Sequence, residues 1–111
     1  MSVSPRALVT SAQLAAAETT QYTSDSGTYT ILDKITAYNG NASAVTVTVK
    51  LVPNGGTAGA AHVMAVKSIA AGDSYTFPEV IGQVLEPGGF LSTTASVGSV
   101  VVFRVSGRKV N

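Results

Sequence analysis

ITAYNGNASAVTVTVKLVP, residues 35–53, contains an unbroken alternation: Val45, Val47, Val49 and Leu51 share one parity, and Thr46, Thr48 and Lys50 the other. A period of two is the mark of a half-buried strand, whose side chains point in turn to the core and to solvent. Upstream, TYTILDKITAYN (28–39) puts Tyr29, Ile31, Ile35 and Ala37 on one parity, with Asp33 interrupting. Between the two runs stands Asn39-Gly40-Asn41, residue types that tolerate positive φ and reverse the chain. Residues 28–52 therefore read as a β-hairpin.

The pattern continues in both directions. The Gly-rich segment 53–61 reads as a flexible hairpin connection and HVMAVKSI (62–69) as a strand. DSYTF (73–77) places Tyr75 and Phe77 on one face, and FLSTTASV (90–97) does so with Leu91, Thr93, Ala95 and Val97. The last run, 99–110, is apolar on both faces: Val101, Phe103 and Val105 on one, Val100 and Val102 on the other. Such a strand is central between layers or pressed against a partner. Helix is conceivable only at 11–19, which lacks a 3.6-residue stripe, and as one turn after Pro78. Seven to eight short antiparallel strands with closely spaced turns describe an all-β domain, a single sandwich of jelly-roll type.

Composition narrows the function. Charged residues make up 12% of the chain against 45% hydrophobic. That is about half the usual charged share, which argues against disorder and for a surface partly covered by something other than water. A net charge of +1 argues against nucleic acid as partner, because Arg104, Arg108 and Lys109 form no basic stripe. No run approaches the length of a membrane-spanning helix, so no membrane partner is expected. The first twenty residues make a poor signal peptide, and synthesis or assembly in the cytoplasm is the expectation.

The inventory for catalysis is thin. The chain has no Cys and a single His, His62, so a zinc site would have to be completed by carboxylates. Glu79 and Glu86 bracket a short apolar segment, but a glycosidase pair needs a cleft and aromatic platforms, and there is no Trp. Asp25 and Asp73 sit where Asp is favoured for capping local backbone N–H groups. NGGTAG (54–59) lacks the Gly-Lys-Ser/Thr ending of a phosphate loop. No enzyme, cofactor or metal is expected. What remains is surface: Tyr22, Tyr29, Tyr38 and Tyr75 suit either a core edge or an interface. Residues 1–19, low in charge and without an adjacent hairpin partner, read as an N-terminal arm to a domain at 20–111. Such an arm is disordered in isolation or lies along a neighbouring subunit, and the second is favoured.

The succession QYTSDSGTYTILDKITAYNGNASAVTVTVKLVPNGGTAG, then SIAAGDSYTFPEVIGQVLEPGGFLSTTASVGSVVVFRVSG, resembles a β-sandwich family of tailed-phage virion accessory proteins. The resemblance spans residues 20–107 and rests on the order of its turn phrases, no one of which is specific by itself. Members decorate or staple the capsid or belong to the neck or tail, and the family has no catalytic residues to carry over. Length and arm are most similar to the decoration proteins that staple the capsid of epsilon-type short-tailed phages. The resemblance implies a virion location on the capsid surface, the major capsid protein as partner, and a homodimer, since a two-fold interface uses one patch twice. Contacts are then expected on the arm at Val3, Pro5, Leu8, Val9 and Leu14, and on the last strand at Val100, Val102 and Arg104. The competing readings are a neck or tail component and, in a different class, a carbohydrate-binding module, which usually shows an exposed aromatic platform.

Overall fold

The computed structural model describes residues 2–111. Among the described residues nine strands run in chain order: β1 (Val3–Gln13), β2 (Thr19–Thr23), β3 (Tyr29–Asn39), β4 (Val45–Val52), β5 (Val63–Ile69), β6 (Ser74–Tyr75), β7 (Val84–Leu85), β8 (Phe90–Ala95) and β9 (Val101–Val110). They form two antiparallel sheets, one ordered β1-β9-β3-β6 with β7 also paired to β3, the other β2-β8-β4-β5. The pairings β1·β9, β2·β8, β3·β6/β7 and β4·β5 are those of one long hairpin rolled over on itself. This is a jelly roll, with β6 and β7 sharing the place of a single strand.

The alternation in β4 does what the sequence implies. Val45, Val47 and Val49 are fully buried between the sheets while Thr46 faces out. Leu32, Ile35, Leu91, Val101, Phe103 and Val105 meet them from β3, β8 and β9. Each such side chain contributes roughly 1.5–3 kcal/mol by leaving water. The expected 53–61 connection closes the β4–β5 hairpin, and the single turn after Pro78 is a 3-10 turn, Pro78–Val80. It follows Phe77, whose left-handed backbone (φ 45°) is held by a fully buried ring in edge-on contact with Tyr75 at 4.8 Å.

Three expectations are corrected. The hairpin at 28–52 does not form, because β3 and β4 are consecutive strands of different sheets. The Asn39-Gly40-Asn41 turn is a corner between sheets, organised by the buried Asn39 side chain. Its Nδ2 donates to the carbonyls of Ser43 (3.0 Å) and Ile69 (2.8 Å), and its Oδ1 accepts from the Asn41 N–H (2.9 Å). The second correction is parity within β3. A register shift between Leu32 and Lys34 reverses it, so Thr30 and Leu32 point inward on one side of the shift and Ile35, Ala37 and Asn39 on the other. Tyr29 and Ile31 consequently face outward.

The third concerns the N-terminus. Residues expected as an arm form the 11-residue edge strand β1, paired to β9 at the far end of the chain. Ser2 and Asn111 exchange both backbone hydrogen bonds, at 2.7 and 3.0 Å. Beyond β1, Leu14 is fully buried and bonds through its backbone to Val101 and Ser99, so 11–19 is not helical. Reading a partner only among sequence neighbours misses β9. The Ser2–Asn111 exchange also sets the alternation of β1: its next odd-numbered residues turn their backbone to the free edge. Pro5 therefore sacrifices no ladder bond, which is how proline is tolerated in an edge strand.

Gly107 of β9 is where three strands come closest. A Cβ there would lie 2.4 Å from the Ile31 carbonyl oxygen and 2.8 Å from Leu8 Cδ1. Gly107→Ala is expected to destabilise the protein by about 2–3 kcal/mol through overpacking against backbone, read as a lower urea midpoint at unchanged slope. Gly59→Ala, with nothing nearer than 3.8 Å, should stay within about 0.5 kcal/mol of the wild type. Equal effects would show that the close approach is not what constrains residue 107.

Candidate interaction surfaces

The two outward faces differ in chemistry. On the β1-β9-β3 sheet, register aligns Val3, Val110 and Tyr29 in one row, and Pro5, Arg108, Ile31 and Val84 in the next. A third row at the other end holds Gln13, Val102 and Tyr38. Val3, Tyr29 and Val84 are each at least half exposed. Part of the charge in this region has a partner, while Lys34, aligned with Ser106 in a middle row, and Glu86 are exposed. Arg108 grips Asp33 with Nε 3.1 Å from both carboxylate oxygens, and Arg104 Nη1 donates to the Thr10 carbonyl at 3.0 Å. The exposed Arg108–Asp33 pair adds little stability, but it removes a lone charge from an apolar surface. Beside it, Tyr29, Leu51, Val52, Pro53, Val84 and Glu86 line a shallow groove of about 380 Å³.

The β8-β4 face is hydroxyl-rich. Thr20, Ser92 and Lys50 form one row, and Thr94, Thr48 and Val66 another. Glu18 folds over this face and accepts from both Lys50 and Ser92. Burial pushes the Glu18 carboxyl up, but the hydrogen bonds from Lys50 and Ser92 and the Lys50 charge outweigh it and hold the pKa below the ordinary carboxylate value.

The residues expected to make contacts divide. Val3, Pro5, Val102 and Arg104 are exposed on the first sheet. Leu8 is half-buried over Gly107, and Val100 is half-buried against the core. Val9 and Leu14 belong to the interior of this chain and have no side chain to offer a partner. Sequence reasoning did not place Ile31 or Val84 on the surface. The first was hidden by the register shift in β3, and the second lies in a two-residue strand too short to show a period. Of the tyrosines, Tyr29 and Tyr38 are exposed, whereas Tyr22 and Tyr75 pack against the core.

The titratable residues are dispersed. His62 ends a 3-10 turn, Ala60–His62, in the β4–β5 connection. Glu79 accepts from the Tyr75 hydroxyl at 2.8 Å. Its own backbone N–H, followed by that hydroxyl, holds its pKa below the ordinary range. Asp73 bonds the adjacent Ser74 N–H, as expected of a turn residue, whereas Asp25 reaches Lys109 instead. Among the described residues no three of His, Cys, Asp and Glu are grouped to hold a metal ion.

No protein-family model matches the chain, and no curated protein matches it. Among solved structures, a chain from Bacillus endospore appendages, described as a novel family of disulfide-linked pili, aligns at TM-score 0.57 and 12% identity, over 96% of this chain and 86% of that one. The T13 particle of infectious bursal disease virus aligns at TM-score 0.45 and 10% identity, over 97% of this chain and 30% of the viral one. At these identities the likeness is one of fold. This chain spans about a third of the length of the viral chain.

Glu18 gives a pH dependence with a definite sign. Its folded pKa is depressed, so the unfolded state binds more protons as pH falls below about 4.5. The stability it contributes is present above that value and is lost as pH falls through the folded pKa; Glu79 acts in the same sense. Urea midpoints measured from pH 6 down to 2.5 should fall on the acid side, and Glu18→Gln should flatten that limb while lowering the plateau. An unchanged acid limb in the variant would remove Glu18 from the account.

Proposed function

We propose that this protein is a non-enzymatic structural component of a tailed-phage particle that decorates the capsid and stabilises it by bridging neighbouring major capsid subunits. The observation carrying this reading is the outer face of the β1-β9-β3 sheet. Tyr29, Val84 and Val3 are half exposed there on a continuous sheet, beside Arg108 paired with Asp33. A rigid apolar face loses little freedom when it docks, and it calls for area rather than reactive groups. The succession of turn phrases over residues 20–107 supplies the phage context. Disulfide-linked assembly of the kind described for the spore appendages is closed to a chain without cysteine.

Tyr29→Glu combined with Val84→Lys places charge on the docking face, where the side chains are exposed. Stability should change by no more than about 0.5 kcal/mol per site, while particle occupancy at limiting protein should fall at least about tenfold, as for loss of an interface anchor. Undiminished binding by the folded variant would move the contact elsewhere. Quantitative mass spectrometry of gradient-purified particles should find copies in simple ratio to the shell protein. A handful of copies would assign the chain to the neck or tail, and its absence would overturn the virion reading.

A further inference from the structure

The sandwich has four sheet edges, and their treatment is unequal. An unpaired edge is a template for another strand, and proteins blunt edges with proline, bulges, short strands or charge. β1 carries Pro5 and two register shifts. β2 is five residues long with a shift at its middle. β6 and β7 have two residues each, separated by the Pro78–Val80 turn. β5 is different: its single shift lies at its start, and from Ala65 to Ile69 it runs regularly along β4.

The direction of its free backbone follows from the ladder. The Thr46 carbonyl accepts from the Ser96 N–H across the β8 side of β4, so Val47 and Val49 turn toward β5 and bond Lys67 and Ala65. Val66 and Ser68 then direct N–H and C=O to the open edge. Val66 is also the most exposed large hydrophobic side chain among the described residues, at 60%, and Met64 beside it is 39% exposed. The one charge, Lys67, is drawn back to 4.8 Å from the Tyr75 ring centroid instead of guarding the edge.

We infer that β5 pairs antiparallel with β5 of a second copy, about a two-fold axis at Val66. In this register Val66, directed to the edge, meets its symmetry mate, Lys67 faces Ala65, Ser68 lies opposite Met64 at the register shift that ends the regular ladder, and no like charges oppose. A shift that centres on Lys67 sets two lysines directly opposite, which is destabilising. A shift that centres on Ser68 draws in the Ala70–Asp73 turn, which is closed by its own 3.0 Å hydrogen bond. A second copy is therefore the occupant whose edge complements this one without a clash. The axis of an antiparallel pair is perpendicular to the sheet. Both β1-β9-β3 faces then point to the same side of an eight-stranded sheet, as a staple over neighbouring shell subunits requires. That use rests on the proposed function, but the pairing itself is a property of the free protein.

The chain has no cysteine, so single-cysteine variants report the axis without ambiguity. Facing residues of a hydrogen-bonded antiparallel pair are about 5.5 Å apart at Cα, within disulfide range. The full-length protein should sediment as a dimer in solution, without particles. Val66→Cys should form a covalent dimer on mild oxidation far faster than Val3→Cys on β1. Val66→Pro, which takes its N–H from the free edge and not from the β4 ladder, should sediment at about half the mass with an unchanged far-ultraviolet spectrum. A monomeric wild type would overturn the pairing, as would a dimer that Val66→Cys fails to cross-link or that Val3→Cys cross-links preferentially. Because no step uses a particle, failure here leaves the capsid reading separately testable.

Discussion

The fold depends on β9 being paired on both sides. A buried strand must satisfy every backbone N–H and C=O, and β9 does so with β1 along one edge and β3 along the other. Its Val101, Phe103 and Val105 form the floor of the core, while Gly107 leaves the space in which Ile31 and Leu8 come close. The chain ends meet in this sheet. Nothing near residue 3 in sequence can supply the partner of β1, so the structure closes only when the last strand is in place. Folding dominated by such distant pairings carries a high loop-closure cost before any contact compensates for it.

The corner at Asn39 is the second constraint, and it follows from the first. Once β3 is committed to β9, β4 must leave for the other sheet, and the carbonyls exposed at that crossing require partners. The Asn39 amide provides them for Ser43 and Ile69, and the Gly40 N–H bonds the Val100 carbonyl at 2.9 Å. One short polar side chain thereby ties the start of β4, the end of β5 and the approach to β9. The result is a sandwich measuring 46 × 26 × 20 Å, with apolar residues gathered toward the ends of one broad face and hydroxyls spread over the other.

The two broad faces of the sandwich differ in chemistry. The first face gathers Val3, Tyr29, Ile31 and Val84 at one end, beside the Arg108–Asp33 pair, and carries Ser106, Lys34, Thr36 and Arg104 across its middle, whereas the second is hydroxyl-rich, with Glu18 over Lys50 and Ser92. Three of the four edges are protected against unwanted strands and one is open, so the proposed docking face and the proposed self-pairing edge lie on different elements.

Much of this was legible in the chain. The period of two in residues 44–52, the run of short strands and the turn residues determined an all-β sandwich, because alternation leaves a strand only one way to bury its valines. The absence of cysteine, tryptophan and a second histidine removed thiol chemistry and a multi-histidine metal site from the expectations. Tertiary structure alone decided which strands pair. Turn chemistry states that the chain reverses, not which sheet receives it, and thus a presumed hairpin became a corner. It alone decided that residues 3–13 belong to a sheet and not to an arm, because their partner is at the opposite terminus. It also decided which side of β3 faces out. A bulge exists only where two strands of unequal length are laid together, and a single strand read by itself gives no sign of it.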